Sequence, residues 1–352
     1  MLPRSHRLSC HFRARPRPKL VGVAVAFFGV RFDFRNPAFA QTAMTERYAA
    51  GLDMVQWADE LGFMLLVLSE HHGSPDGYLP SPLVMAAAAA ARTRSIRINV
   101  SAMVAPLHDP LRLAEDAAVV DLISGGRLDL VLVNGYVADE FAMFGVPMTE
   151  RARRTSVAVN TLRAAWSGEP FEHQGRSVIV TPTPDRAGGP SISLGGSTEG
   201  AARRAARIAD GFVPSLPEYW QWYRDERIAL GHPDPGPHFG SGIGNFYLAH
   251  DVEQGWRDVG EYFLHETNAY GKWMADAGLA GMYEQLADVE AVRSAGMYRV
   301  LTPDLLLAEI ESAGPFAFVL MHPMVGGIPP DLAWRGLRIF EQDVLTQLNS
   351  AS

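Results

Sequence analysis

From residue 20 onward, short apolar runs alternate with segments of helical periodicity along almost the whole chain. Alternation of this kind is typical of βα units, which assemble into a parallel sheet. The length of 352 residues suits one elaborated α/β barrel, a fold that takes ~250 residues and can exceed ~400 with insertions. The sequence therefore predicts an α/β fold, a single (β/α)8 TIM barrel over residues 20–350.

The individual elements follow from the same pattern. The predicted strands are 21–28, 64–68, 96–104, 128–133, 191–194, 212–214, 243–249 and 316–321. Two segments interrupt the alternation. Residues 168–190 are rich in proline and glycine, and we predict an excursion that forms a small hairpin. Residues 264–300 lack clean periodicity, and we predict a lid-like insertion there.

The N-terminus supports two interpretations. Residues 1–19 are basic, an apolar run follows, and Ala38-Phe39-Ala40 resembles a cleavage site, which together describe a signal peptide. Alternatively, residues 1–19 are a disordered basic leader and 21–28 are the first barrel strand. We favour the second interpretation, because residues 31–36 fit a βα loop and a closed barrel cannot lose a strand. Nothing else in the chain suggests secretion, so we expect a cytoplasmic protein.

Composition excludes several classes of function. A formal net charge of −8 argues against general nucleic-acid binding, which requires a basic face. Cys10 is the sole cysteine, so neither a disulfide framework nor a cysteine metal site is expected. No apolar run reaches the ~20 residues that span a bilayer. His265-Glu266 lacks the second histidine of an H-E-x-x-H zinc motif, and we predict no metal.

Three candidate catalytic residues, Glu70, His71 and His72, follow the second predicted strand. Active sites of such barrels lie at the carboxyl ends of the strands. A histidine titrates near neutral pH and can move a proton to or from a reacting oxygen. The alternative is one buried structural histidine beside an exposed one. The sequence favours a catalytic or cofactor-facing role for at least one of the two.

A glycine-rich turn between the fifth strand and its helix is the candidate phosphate site. Free amides at a helix N-terminus attract phosphate, and glycines let the backbone approach it. The alternative is a simple helix cap. Ser101 and Ala102, within the third strand, could let a flat ring approach the backbone, although ordinary strand packing is the favoured explanation from these residues alone. The candidate binding residues are Gly195, Gly196, Ser197, Thr198, Gly200, Ser101, Ala102, Asn134 and Tyr136.

The ordered set of motifs resembles the bacterial-luciferase-like, flavin-dependent monooxygenase family. The matching text covers most of the chain between about residues 20 and 348. It comprises Phe34-Arg35-Asn36-Pro37, Trp57-Ala58-Asp59-Glu60-Leu61-Gly62-Phe63, Ser69-Glu70-His71-His72, Pro80-Ser81-Pro82, Pro110-Leu111-Arg112-Leu113-Ala114-Glu115-Asp116, Ser124-Gly125-Gly126-Arg127-Leu128, Asp139-Glu140-Phe141, Phe144-Gly145, Leu194-Gly195-Gly196-Ser197 and Gly326-Gly327-Ile328-Pro329-Pro330.

This resemblance implies reduced FMN, or a deazaflavin in some branches, supplied by a separate reductase. Dioxygen then forms a peroxyflavin that oxygenates a small apolar substrate, and the enzyme is expected to be a homodimer through its early helices. By similarity, His71 transfers a proton or stabilises the peroxyflavin, with Glu70 and His72 beside it. Ser101-Ala102 falls where the family often has a non-prolyl cis peptide behind the flavin ring. Gly196, Ser197, Thr198 and Gly200 would hold the phosphate, and residues 264–300 would be a mobile lid.

One position departs from the family pattern. Luciferase has a phosphate-binding arginine after the fourth strand, whereas this chain has Asn134, which carries no charge. Arg153 or Arg154 could compensate. The departure leaves two alternatives to the monooxygenase, namely a deazaflavin-dependent oxidoreductase that transfers hydride and a non-catalytic flavin-binding relative. Aromatic and methionine side chains suggest either an apolar pocket or a lid core, namely Tyr270, Trp273, Met274, Tyr283 and Met297.

Overall fold

The computed structural model describes residues 26–238, 240, 242–279 and 283–350. The strands are β1 (Phe27–Phe32), β2 (Leu65–Leu68), β3 (Arg97–Val104), β4 (Leu128–Val133), β5 (Phe171–His173), β6 (Arg176–Val178), β7 (Ser191–Gly196), β8 (Gly211–Pro214), β9 (Phe246–Leu248), β10 (Arg299–Leu301) and β11 (Phe318–Met321). The helices are α1 (Met44–Glu60), α2 (Pro82–Arg92), α3 (Pro110–Ser124), α4 (Ala138–Phe144), α5 (Arg151–Ala165), α6 (Glu199–Ile208), α7 (Trp220–Ala229), α8 (Val252–Asp276), α9 (Val289–Ala295), α10 (Pro303–Ala313), α11 (Pro330–Ile339) and α12 (Thr346–Ser350). None of the helices in these ranges is long and apolar enough to span a membrane.

The described strands form one main parallel sheet of seven, in the order β11-β1-β2-β3-β4-β7-β8. Every neighbouring pair runs parallel, as βα units require. Ile243 adds an isolated parallel bridge to Val319 of β11, at the edge of the sheet opposite β8. The sheet curls around an interior that we call the lumen. This architecture is of the predicted α/β class.

Each inner strand separates two environments, because successive side chains point to opposite faces. In β1, Phe28 packs against Phe63 and Phe340, at ring-centroid distances of 5.5 and 5.1 Å, on the helical side. Arg31 lies on the other face, where its Nη2 donates to the hydroxyl of Tyr270 at 3.3 Å. Strand alternation therefore places a charged side chain inside the lumen.

The first strand differs from its prediction. We predicted a strand over 21–28 and a loop over 31–36, whereas β1 continues to Phe32. Residues 21–25, the predicted leader 1–19 and Cys10 lie outside the described residues. The prediction was wrong at the carboxyl end because it interpreted the polar Arg31 as a loop residue. Charge is compatible with a central strand here, since Arg31 faces the lumen and Tyr270.

The two interrupting segments had different outcomes. Residues 168–190 contain the antiparallel β5–β6 hairpin, which confirms that prediction. The segment 264–300 is mostly regular, because it begins inside the 25-residue helix α8 and continues into α9 and β10. The irregular spacing reflects α8 itself, which buries both aromatic and charged residues, among them Phe263, Glu266 and Tyr270. A lid role for this segment stays a prediction.

Candidate active site

His71 sits at the carboxyl end of β2 with its ring orientation fixed. Its Nδ1 lies 2.7 Å from Oε1 of Glu140, and the same oxygen accepts from the backbone N–H of His72 at 2.9 Å. Glu140 is 1% exposed and His71 is 8% exposed. With Nδ1 engaged, Nε2 is the nitrogen left for a reacting molecule, since it makes no hydrogen bond within the described residues. Glu140 occurs in the Asp139-Glu140-Phe141 motif, but sequence reasoning gave it no role.

Aromatic rings enclose His71 on several sides. Trp273 stacks on it with ring centroids 4.3 Å apart and 25° between planes. Tyr78, Tyr270 and Tyr136 approach edge-on at 4.8, 5.8 and 6.1 Å. Helix α8 supplies Trp273 and Tyr270, so the segment that lacked clean periodicity forms one wall of the site. Such an enclosure limits water around the imidazole.

Glu70 holds its neighbours in place. Its Oε1 lies 3.0 Å from Nε2 of His72 and 2.7 Å from Nε2 of His108, and Oε2 accepts from the N–H of Val104 at 2.5 Å. Burial alone would raise the pKa of Glu70, but hydrogen bonds from His108 and His72 lower it to about 2. Glu70 is therefore an ionised acceptor at neutral pH. A role in positioning fits these contacts better than proton donation.

The ligating atoms of Glu70, His72 and His108 lie within 4.8 Å of one another, as a metal site would need. Both imidazole nitrogens nevertheless point at one carboxylate oxygen, which is the arrangement of a hydrogen-bonded cluster. The prediction that the chain carries no metal remains untested.

The Ser101–Ala102 peptide of β3 is cis, as the resemblance implied. Both residues stay partly accessible although their neighbours Val100 and Met103 are buried. The carbonyl of Ala102 accepts from the N–H of Glu70 at 3.2 Å, which ties this part of β3 to the catalytic candidates. A flat ligand could therefore approach the backbone beside His71.

The glycine-rich turn lies at the carboxyl end of β7 and leads into α6. Thr198 is the N-cap residue of α6, and its Oγ1 accepts from the N–H of Ala201 at 3.2 Å. A Cβ on Gly196 would lie 2.5 Å from the Cβ of Ala201, so glycine is required for the close approach of strand and helix. Ser197 and Gly200 are exposed, and a Cβ on Gly200 would meet open space. The cap and the anion site are compatible, because other amides of the first turn remain free.

Arg204, on α6, is a candidate site residue that sequence reasoning missed. Its Nη1 donates to Oδ1 of Asn134 at 3.1 Å and to the carbonyl of Ala152 at 3.3 Å. No carboxylate of the described residues pairs with it, and burial lowers its pKa. Arg204 is a half-buried cation on the second turn of α6, and it could supply beside Asn134 the positive charge that Asn134 lacks. The spacing Gly200-x-x-x-Arg204, one helical turn, was the available signal.

Arg153, by contrast, faces solvent. It is paired with Glu150 at 2.7 Å and lines an outer groove of about 300 Å³ together with His108 and Phe144. Arg154 lines the same groove and donates to the carbonyl of Pro106 at 2.9 Å. Cofactor binding by Arg153 stays a prediction, and Arg204 is the better-placed cation.

A charged cluster at the ends of β1 and β11 was also missed. We call it the β1 cluster; it contains Asp33, Arg35, Asp76, Glu266 and His322. The guanidinium of Arg35 lies 2.5 Å from Asp76 and 3.0 Å from Glu266. The same guanidinium also lies over three aromatic rings, with its Cζ 4.7 to 5.0 Å from the ring centroids, namely those of Tyr78, Tyr270 and Trp273. Tyr270 and Trp273, two of the aromatic residues singled out from the sequence, therefore lie beside charged groups.

Burial and the neighbouring Asp33 raise the pKa of Glu266 to about 8. Burial also lowers the pKa of His322. Asp33, Glu266 and His322 bring ligating atoms within 4.8 Å of one another. The Arg35 cation already lies beside the carboxylates of Asp33 and Glu266. It would repel a metal ion bound there, so this cluster is a poor metal site.

Comparison with known proteins gives a family and a fold. The sequence profile described as luciferase-like monooxygenase matches residues 27–311. Limonene 1,2-monooxygenase of Rhodococcus erythropolis is 26% identical over 296 residues, which cover 77% of this chain and 74% of the relative. The crystal structure of the monooxygenase RslO1 from Streptomyces bottropensis superposes with a TM-score of 0.72 at 28% identity and covers 91% of this chain and 99% of its own. The predicted barrel fold is thereby confirmed.

Other matches are partial or show the fold alone. The chain spans 39% and 36% of the length of two Sinorhizobium fredii proteins to which it is 35% and 34% identical. It spans 38% of the oxygenase component of a flavin-dependent trigonelline monooxygenase from Acinetobacter baylyi, at 28% identity. An FMN complex of the oxygenating constituent of 3,6-diketocamphane monooxygenase from Pseudomonas putida has a TM-score of 0.67 at 20% identity. An F420-dependent secondary alcohol dehydrogenase has a TM-score of 0.64 at 14% identity.

Proposed function

The chain belongs to the luciferase-like monooxygenase family, and from that premise we propose that it is the oxygenase component of a two-component flavin-dependent monooxygenase. Reduced FMN would come from a separate reductase, and dioxygen would be the co-substrate. The observation that carries the proposal is the contact of Arg204, on the helix α6 that follows the glycine-rich turn, with Asn134, and we assign these groups to phosphate binding. The contact lies at the carboxyl ends of β4 and β7, where a barrel binds phosphate and substrate.

The residues present fit a flavin. Arg204 and the amides of Ser197–Gly200 would bind its phosphate, since charge-assisted hydrogen bonds and a helix N-terminus both favour an anion. Ser101, Ala102 and Tyr136, all partly accessible, would border the ring. When bound, reduced flavin supplies the electrons that activate dioxygen, and the protein supplies position, proton control and exclusion of water.

His71 would manage the proton at the reacting centre. Glu140 fixes the Nδ1 side of the ring, so Nε2 can donate to or accept from an oxygen of the substrate. The stacking of the His71 ring on Trp273 holds Nε2 in one orientation. Glu70 holds His72 and the end of β3 and acts as a positioning residue.

Anaerobic titration with reduced FMN and, separately, reduced F420, each followed by air, tests the proposal. We expect tight FMN binding and oxygen consumption on admission of air. The Arg204→Gln variant should bind reduced FMN on the order of 10 to 100 times more weakly, because a charge-assisted contact is lost. Arg153→Gln is the control and should bind as the wild type does. Equal affinity in both variants would remove Arg204 from the phosphate site.

Binding to F420 alone, with no oxygen uptake, would instead identify a deazaflavin-dependent hydride-transfer enzyme. Flavin binding without oxygen-dependent turnover of any substrate would favour a flavin-binding relative. The F420-dependent dehydrogenase shares the fold, but at 14% identity it says nothing about the cofactor of this chain.

A homodimer is part of the proposal. Helices α2 and α3 present exposed apolar side chains to solvent, with Val84 at 72%, Val119 at 43%, Leu122 at 42% and Ile123 at 46% exposure. Contiguous exposed apolar surface commonly marks a protein interface. A second copy of this chain would cover it. Light scattering should give twice the mass of one chain, and Val84→Glu should give the monomer mass.

A further inference from the structure

Arg31 is a cation inside the lumen that has no carboxylate partner. Its Nη2 donates to the neutral hydroxyl of Tyr270 at 3.3 Å, and its Nε is enclosed without a hydrogen-bond partner in the described part of the chain. No Asp or Glu of the described residues forms an ion pair with it, and the remaining residues contain no Asp or Glu at all. The ionised Asp33 attracts Arg31 only beyond ion-pair distance, and it interacts more strongly with His322 and Arg35. The burial of this permanently protonated side chain is therefore only partly offset.

Arg35 and Arg31 differ in their partners, because the nearby carboxylates form ion pairs with Arg35 and not with Arg31. Arg35 pairs with Asp76 at 2.5 Å and lies 3.0 Å from Glu266 and 3.6 Å from Asp33. These carboxylates are therefore directed at Arg35. Because burial and Asp33 raise the pKa of Glu266 to about 8, Glu266 is largely protonated at neutral pH and provides little charge for Arg31.

The position of Arg31 suits a ligand that also reaches His71. Tyr270, which contacts Arg31, lies 5.8 Å from His71 between ring centroids. Arg31 stays partly accessible although β1 is a central strand. Strand β1 is separated from β7, where the proposed phosphate site begins, by β2, β3 and β4. In a curled sheet these strands face each other across the lumen, so Arg31 and Arg204 serve different ends of the site.

We infer that Arg31 binds an acidic group of the substrate, and that the substrate is an organic carboxylate whose carbon skeleton packs against the partly accessible ring of Trp273. The inference rests on the proposed function, because it treats the lumen as the substrate pocket. Arginine recognises carboxylate through charged N–H donors, and the hydrogen bond from Nη2 to Tyr270 leaves the guanidinium of the partly accessible Arg31 with donors to spare. The aromatic body and the acidic end together replace the purely apolar substrate that the sequence suggested.

The test compares carboxylates with uncharged partners of the same shape. Benzoate and 4-phenylbutyrate are each titrated against their primary amides by calorimetry, with inorganic phosphate present to occupy the Arg204 site. We expect wild-type protein to bind each carboxylate on the order of ten-fold more tightly than its amide, the value of one charge-assisted contact. Arg31→Met should erase this preference while amide affinity is unchanged.

Two further variants keep the test decisive. Arg31→Lys retains the charge, and should retain part of the preference even if the methionine variant folds poorly. Arg92→Met removes an exposed arginine that pairs with Asp53, and should behave as the wild type does. The inference is overturned if wild-type protein shows no preference or no carboxylate binding, if the preference survives in Arg31→Met, or if it is lost in Arg204→Gln instead.

The two proposals fail separately. Reduced-FMN binding is measured on the same Arg31→Met protein and should equal that of the wild type. If wild-type protein does not bind FMN, the proposed function fails, whereas the carboxylate titrations still decide the role of Arg31. If FMN binds and carboxylate preference is absent, the monooxygenase proposal stands and the substrate inference falls.

Discussion

Replacing Glu266 with glutamine should change how the stability of the protein depends on pH. Glu266 is 1% exposed, and burial together with Asp33 raises its pKa to about 8, from 4.5 for an ordinary glutamate. Arg35 Nε lies 3.0 Å from Oε2 of Glu266, but both atoms lack a hydrogen-bond partner within the described residues. The contact is therefore poorly aligned and does not keep the carboxyl group ionised.

The direction and the size of the pH effect on the free energy of unfolding follow from proton linkage. Between pH 4.5 and about 8 the folded protein keeps the proton on Glu266 and the unfolded chain releases it. Stability from this group is thus fully present below pH 4.5 and is lost as pH rises through about 8. Each pH unit within the window costs ~1.4 kcal/mol, and the whole window costs roughly 4–5 kcal/mol. Glutamine has the shape of the protonated carboxyl group and cannot ionise, so it avoids this loss.

Urea unfolding of both proteins at half-unit steps from pH 5 to 9 measures the effect. The stability of Glu266→Gln relative to wild type should increase by ~1.4 kcal/mol per pH unit and level off above the folded pKa. Glu261→Gln changes an exposed residue of the same helix and is the control, with no pH-dependent difference expected. A difference that stays constant from pH 5 to 8 would refute the argument. So would a variant less stable at every pH, since that would mean an ionised Glu266 paired with Arg35.

Three further predictions concern the site. His71→Asn should bind reduced FMN like wild type but lose product formation in an oxygen-coupled assay, and an unchanged rate would exclude His71 as the proton-transfer group. Glu140→Gln should lower kcat on the order of 10 to 100 times with little change in KM, because the His71 ring loses its fixed orientation; an equal fall in reduced-FMN affinity would point to general disorder instead. Thr198→Ala removes the N-cap hydrogen bond of α6 and should cost ~1 kcal/mol in urea unfolding, with no loss expected for Ser197→Ala.

Local sequence patterns determined most of the fold. Strand β4 was predicted with its observed bounds. Helix α3 is followed by Gly125 in the left-handed conformation, which glycine adopts readily at the end of a helix. The strand prediction succeeds because burial acts over a few residues. The same logic placed Glu70, His71 and His72 at the mouth of the barrel, since the strand end and the motif coincide.

Only the tertiary structure decided which distant groups meet. Glu140 reaches His71 across 69 positions of sequence, and Arg31 meets Tyr270 across 239. No periodicity encodes such contacts, because each depends on the curl of the sheet and on which face a side chain occupies. For the same reason the polarity of Arg31 led to its prediction as a loop residue, whereas the alternation of side chains along a strand of the curled sheet places it in the lumen. The sequence alone determined the family and the catalytic histidine candidates, and the three-dimensional packing decided the charges that surround them.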